Sequence, residues 1–383
     1  MSDIHIADPD IGDAEIEAVV RVLEDGQLAD GPEVRAFEDA FASYVGADHG
    51  VAASNGTTAL HAALKGLGIG EGHRVLTSPF SFIASANAVR LAGADVGFVD
   101  IDPHTYNMDM DALEARLEAG EQVDAVVPVH IFGLPADMPR LMELADEYGF
   151  LVLEDAAQAH GATIDDQLVG SFGDAACFSF YPTKNMTTGE GGMVTTSHED
   201  VAEATTRFVN HGRVGTYEHS EVGHNFRMTS MAAAIGQIQL ERLPEFVASR
   251  QANAARYDER LSGGPVITPE VPDGYTHAYH QYTIRVPDRD GLMAHLDDEG
   301  IGTGVYYPKA INKQPAYTDL GIEMPEAERA AAEVLSLPVH PGVSEADVDR
   351  VADAILDYFG ADAETDSSEA DRDVAVADDE VSR

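Results

Sequence analysis

Short apolar runs rich in β-branched residues alternate with helical stretches from Ala52 to Thr196, and this alternation limits the chain more than any other feature. Strands are expected at Arg74 to Thr77, Val96 to Val99, Ala125 to Val129, Leu151 to Leu153, Ala175 to Phe180 and Met193 to Thr196. Between them, Ala59 to Leu67, Ile83 to Leu91 and Met138 to Tyr148 have helical spacing. Strands interleaved with helices predict an α/β fold with a mostly parallel sheet covered on both faces. Two amphipathic stretches precede it, Ile16, Val19, Val20 and Leu23, then Val34, Phe37, Phe41 and Val45. After it, a helix from Ser230 to Leu243 is expected to stop at Pro244, and a helical run from Glu245 to Leu261 leads onward. Strand Gln281 to Val286, helix Gly291 to Glu299, strand Gly304 to Tyr307 and helix Ala346 to Tyr358 make a smaller α+β unit. The expected division is a large domain over 1–245, a small one over 246–360, and an acidic tail over 361–383. That tail holds nine Asp/Glu, two Arg and almost no large apolar residue, a composition expected to stay disordered.

Charge excludes whole classes of function. With 23 Lys+Arg against 68 Asp+Glu the net charge is −45, so phosphate backbones are repelled and nucleic acid is not an expected partner. Molar salt shortens the Debye length to roughly 3 Å and removes most of the self-repulsion. The acids are spread along the whole chain, which points to a salt-rich cytoplasm rather than to one cationic partner. The single cysteine, Cys177, permits no internal disulfide. No apolar run reaches the roughly 20 residues that span a bilayer, and the first residues lack the pattern of a secretory signal.

In an open α/β sheet ligands sit beyond the carboxyl ends of the strands, and four segments there carry polar chemistry. Ser54-Asn55-Gly56-Thr57-Thr58-Ala59-Leu60 enters a helix with free N–H groups and hydroxyls, suited to a phosphate or to a plain helix cap. Leu151-Val152-Leu153-Glu154-Asp155 drives a hydrophobic strand into two carboxylates. A metal, a protonated heterocycle or a salt-bridging role could each match such an acid. Phe178-Ser179-Phe180-Tyr181-Pro182-Thr183-Lys184-Asn185 places a lysine just past a buried strand, in a chain with only four lysines. Arginine can replace lysine for surface charge but cannot form an imine. Gly223-His224-Asn225-Phe226-Arg227-Met228-Thr229-Ser230 gathers polar groups before a helix, and would otherwise be a capped loop.

In this order and spacing the four segments resemble the DegT/StrS group of sugar aminotransferases, of the pyridoxal-phosphate fold type I class. The resemblance runs from Asp8 to about Phe359 and extends to Glu154-Asp155-Ala156-Ala157-Gln158-Ala159-His160-Gly161, Gly189-Glu190-Gly191-Gly192, Gln314-Pro315-Ala316-Tyr317 and Leu335-Ser336-Leu337-Pro338. It implies pyridoxal 5′-phosphate as cofactor, held by Lys184 as an internal aldimine, with the freed lysine shuttling a proton. Asp155 would pair with the ring N–H⁺, Gln158 would lie near the ring hydroxyl, and Phe82 would stack on the ring rather than serve as a core phenylalanine. Thr57, Thr58 and Ser179 would bind the phosphate, with Asn225 reaching it from a second subunit of a homodimer. Substrate contacts would come from Arg227, Tyr307, Lys309 and Lys313, of which the three cations could equally be surface ion pairs. Many members carry His-Tyr or a second histidine where this chain reads Val305-Tyr306-Tyr307-Pro308-Lys309-Ala310-Ile311-Asn312.

The reaction implied is a ping-pong transfer of an amino group from an amino acid, by family habit glutamate, to a nucleotide-linked keto-sugar. Relatives with histidine at the lysine position are dehydratases, and Lys184 favours transamination. A sugar dehydratase-like enzyme and a non-catalytic regulatory protein of the same fold are the alternatives. His277 and His280 are spaced like a ligand pair but lack partner motifs, so no metal is expected.

Overall fold

A computed structural model describes residues 3–360 of the 383-residue chain; the expected acidic tail over 361–383 lies outside the described residues. Two helices, α1 (Asp13–Asp25) and α2 (Pro32–Val45), lead into β1 (His49–Ala53). There follow α3 (Gly56–Gly66), β2 (Arg74–Thr77), α4 (Ala84–Ala92), β3 (Asp95–Phe98), α5 (Met110–Glu118), β4 (Ala125–Val127), α6 (Met138–Tyr148) and β5 (Leu151–Asp155). After two short strands, β6 (Thr163–Ile164) and β7 (Gln167–Leu168), come β8 (Ala175–Ser179), β9 (Gly192–Thr196), α7 (Glu199–Val209) and α8 (Ser230–Leu261). The last part holds β10 (Tyr275–Thr276), β11 (Tyr282–Arg285), α9 (Arg289–Asp298), α10 (Pro325–Glu333), β12 (Val334–Leu337) and a helix over 345–360.

The main sheet has seven strands in the order β1-β9-β8-β5-β4-β2-β3, and β9 alone runs against the others. Strand alternation sorts its side chains between two faces. Ala175, Cys177 and Leu153 face a core shared with α3, α4 and α7, while Ala176, Phe178 and Val152 face the opposite way, toward α2, α8, α5 and α6. Both faces are covered, which is why these strands are apolar throughout rather than alternating. A further core joins the C-terminal half of α8 to β11, β12, α9 and the 345–360 helix. Two segments cross between these bodies: Ile4 is buried in the C-terminal core, and residues from Ala310 to Val334 pack into the core beneath α3 and α4.

Two expectations need correction. Pro244 does not end a helix: it lies inside α8, which is 32 residues long. Proline removes one donor to the preceding turn, but buried Leu240, Leu243, Phe246, Val247, Ala254, Tyr257 and Leu261 keep helical spacing across the break, and their packing on two cores outweighs the lost bond. The strand expected at Gly304 to Tyr307 is reduced to one bridge, in which Gly304 and Ser336 exchange backbone bonds of 3.1 and 2.7 Å. Beyond it Tyr306 and Tyr307 leave the ladder and turn their rings into a cavity.

Candidate active site

The carboxyl ends of β5 and β8 and the N-terminus of α3 open on a cavity of about 720 Å³, closed from the C-terminal half by Tyr306 and Tyr307. Asp155 ends β5, 4% exposed, where the strand brings its carboxylate to the cavity wall. Its Oδ2 accepts from Ser85 Oγ at 2.7 Å and its Oδ1 from Ala157 N at 3.2 Å. Burial pushes the Asp155 carboxyl up; the Ser85 bond and the positive charge of Lys184 oppose that. The neighbouring Glu154 faces away, accepting from Gly170, Phe172 and Gly173 N–H groups and from His130. His130 Nδ1 accepts from Ala136 N at 2.9 Å, so its Nε2 carries the hydrogen given to Glu154. The two adjacent carboxylates thus divide into a structural one and one facing the cavity.

Lys184 lies in the loop that returns from β8 to β9, and it lines the same cavity. Burial pulls its ammonium down to about 8, partly offset by Asp155. Gln158 has one orientation: its Oε1 accepts from Phe132 N at 2.7 Å, which turns the amide NH₂ toward the Tyr307 hydroxyl 3.2 Å away. Phe82 is 57% exposed and borders the cavity, 6.1 Å from the Tyr307 ring, so it is no core residue.

Thr57, Thr58 and Ser179 meet at the start of α3, all three on the cavity wall. Asn55 Oδ1 caps Thr58 N at 3.0 Å, whereas Gly56 and Thr57 occupy first-turn positions whose N–H groups have no acceptor within the helix. The glycines make this approach possible. A Cβ on Gly56 would sit 2.8 Å from Ser179 Cβ, and one on Gly192 would sit 2.5 Å from the Asn55 carbonyl oxygen. Because the Asn55 and Gly56 backbone cannot yield, Gly192→Ala is expected to cost about 1–3 kcal/mol and to weaken phosphate binding at the cradle. Thermal unfolding and pyridoxal phosphate titration of this variant read the two effects separately.

Four sequence candidates lie outside the cavity of their own chain. Asn225 is exposed, and Arg227 donates to Asn210 Oδ1 at 2.6 Å. Lys309 is exposed. Lys313 is held by Glu323 at 2.6 Å and Glu328 at 3.2 Å, which leaves it already paired as a surface cation. Conversely, Ser81, Ser85, Tyr181, Glu190 and His280 bear on the site without having been singled out for it. None of them had a local signal in the sequence for this placement. His277 and His280 lie in irregular chain but are buried, and burial keeps both imidazoles well below their ordinary range. Among the described residues no group of His, Cys, Asp and Glu is arranged to hold a metal.

Comparison with known proteins extends the picture. The chain is 40% identical to a pleiotropic regulatory protein of Geobacillus stearothermophilus, covering 89% of this chain and 94% of that one. It is 39% identical to a UDP-N-acetyl-3-dehydro-alpha-D-glucosamine 3-aminotransferase of Acidithiobacillus ferrooxidans, over 93% and 96% of the two chains. Among solved structures, S. venezuelae DesV in complex with a ketimine intermediate superposes with a TM-score of 0.87 at 37% identity, over 90% of this chain and 94% of that one. A family model matches residues 9–356, nearly everything between the first residues and the tail, and the chain therefore belongs to the DegT/DnrJ/EryC1/StrS aminotransferase family.

Proposed function

We propose that the protein is a pyridoxal-phosphate-dependent aminotransferase that moves an amino group from an amino acid, glutamate, to a keto-sugar carried on a nucleotide diphosphate. Family membership and the nucleotide-sugar relative support this reading. The observation that carries it is the convergence of Lys184 and Asp155 on one cavity beside a hydroxyl-rich helix start. The donor set matches the cofactor: an amine for its aldehyde, a buried carboxylate for its ring nitrogen, and a glycine-cleared cradle for its phosphate. When bound, the cofactor supplies an electron sink for the charge left on a substrate carbon that loses its proton.

The chain's own residues do the rest. The Lys184 amine, brought near neutrality by burial, takes and returns the proton at the substrate carbon, a task best served by a group titrating near the working pH. Asp155 holds the proton on the ring nitrogen. Gln158, its carbonyl held by Phe132 N, would offer its NH₂ to the ring oxygen, and Phe82 would cover one ring face. The α3 N-terminus with Thr57, Thr58 and Ser179 binds the phosphate dianion. The partner subunit's Asn225 and Arg227 complete the site in a homodimer, a reading supported by their position outside their own cavity and by the exposed apolar row of Ile16, Val20 and Leu23 on α1. Tyr307 and Lys309 are assigned to the sugar side, while Lys313, already paired twice, is a weaker candidate. The charge of −45 supports a salt-rich cytoplasm as the working environment.

The Geobacillus relative is named a regulatory protein; a regulatory role without turnover would not need both the lysine and the acid here. Visible spectra in molar salt decide between these readings. A yellow band that forms with pyridoxal phosphate and bleaches on adding glutamate supports the enzyme, and no band overturns it. Attack on an aldehyde needs the free amine, so loading of the apoprotein is expected to accelerate as pH rises, reaching half of its maximum near pH 8. Stopped-flow absorbance across pH 6 to 10 measures this, and a half-point near 10 would contradict the burial argument.

A further inference from the structure

Ser85 lies in the first turn of α4, and Ser81 lies in the bend just before that helix. Both are buried, at 4% and 1% exposure. Ser81 Oγ is 2.9 Å from Ser85 Oγ, which in turn is 2.7 Å from Asp155 Oδ2. A hydroxyl carries one hydrogen, and an ionised carboxylate only accepts. The Ser85 hydrogen is therefore committed to Asp155, and the Ser81 hydrogen to Ser85. The competing acceptor, the Phe82 carbonyl, is 3.3 Å from Ser85 Oγ, and the shorter bond falls in the range of charge-assisted O–H···O⁻ contacts. Helix capping does not explain the arrangement, since Ser85 lies inside α4 and the residue at its N-cap is Ile83.

We propose that Ser85 is a positioning residue for Asp155, backed by Ser81, in a two-hydroxyl relay that keeps the carboxylate ionised and fixes which oxygen remains for the cavity. Among the described residues no lysine, arginine or histidine nitrogen lies within 4.0 Å of Asp155. Lys184 faces it from the loop after β8, His130 from the loop after β4, Cys177 from β8, and Tyr307 from the C-terminal half. The last two carry no charge at neutral pH, so they do nothing to hold a negative charge in place by attraction. Among the described residues Ser85 is the only side chain that donates a hydrogen bond to it, the other bond coming from Ala157 N. Without that bond, burial favours the neutral acid, which lacks the negative charge that would keep a ring nitrogen protonated. The inference rests on the proposed role of Asp155 in the reaction, but its first test does not.

The test is pH-difference infrared spectroscopy of the cofactor-free full-length chain, with Asp155→Asn as the blank that isolates the Asp155 carboxyl signal. Ser85→Ala is expected to raise the Asp155 midpoint by about one pH unit or more, a tenfold or greater shift in its ionisation constant. Ser85→Thr keeps the hydroxyl and is expected to return the midpoint to that of the parent. Loaded with pyridoxal phosphate labelled with ¹⁵N in the ring, Ser85→Ala is expected to move the ring-nitrogen resonance toward its unprotonated value, and to lower kcat about tenfold with KM little changed. An unchanged carboxyl midpoint in Ser85→Ala overturns the proposal. If the added methyl keeps Ser85→Thr from folding, Ser81→Ala is read instead: a rise smaller than that of Ser85→Ala supports the relay, and no rise overturns it. A shifted midpoint in a protein that never forms a visible band would keep this inference and remove the functional reading, so the two failures are distinguishable.

Discussion

Lys184→Ala is expected to remove the visible band given by pyridoxal phosphate and to lower turnover by roughly 100- to 10,000-fold, the range contributed by a positioned proton-transfer group. Two features make the effect this large. Among the described residues lining the cavity, Lys184 supplies the sole amine, and the other three lysines do not stand in for it: Lys313 is tied to two glutamates, Lys309 is exposed outside the cavity, and Lys65 lies in the last turn of α3. An arginine could supply charge there but neither the covalent bond nor the proton transfer. Alanine leaves space in the cavity, so a small primary amine in the buffer is expected to restore part of the proton transfer. Single-turnover assays with and without such an amine check this, and undiminished turnover in Lys184→Ala would remove the lysine from its role.

Asp155→Asn is expected to bind the cofactor and to lose about 100- to 1,000-fold in kcat, the size of effect seen when a preorganised electrostatic contact is removed. The amide keeps the shape of the carboxylate, and its oxygen can still accept from Ser85 at the 2.7 Å site, with only the longer 3.2 Å bond from Ala157 N given up. Folding is therefore expected to survive, with the loss confined to the chemical step. The missing quantity is the negative charge that holds the ring nitrogen protonated, and the neutral side chain cannot restore it. Thermal melting, cofactor titration and kcat measured on the same preparation separate these contributions. Near-normal kcat would exclude Asp155 from this role.

How far these residues could be found in the sequence depended on how local their signals were. Asp155 and Lys184 follow apolar strands directly, so strand alternation already placed both at carboxyl ends; Thr57 and Thr58 stood at a polar helix start, and Ser179 came only through the family resemblance. Gln158 was legible through the motif, but the fixed direction of its amide was not, because that depends on Phe132 N from a distant loop. Ser85 is coupled to a residue seventy positions away, and only the folded sheet brings the two together. The continuation of α8 through Pro244 was hidden for a similar reason: the local rule for proline is correct, and long-range packing overrides it. At Gly304 to Tyr307 the β-favouring aromatics read as a strand, but their rings line a cavity instead of facing a neighbouring strand.

Ile4 donates to the Gly300 carbonyl at 3.0 Å, and its own carbonyl accepts from Gly302 N at 2.7 Å. On the ribosome this stitch sets a timetable. Ile4 emerges before its partners, which follow only when synthesis has passed residue 302, roughly 15–60 s later at about 5–20 residues per second. The sheet strands from β1 to β9 are complete well before then. The segment around Ile4 is thus made well before it can find its place, and it must stay clear of other sticky surfaces meanwhile, with Asp3, Asp8 and Asp10 beside Ile4 and Ile6 supplying the charge that helps it do so.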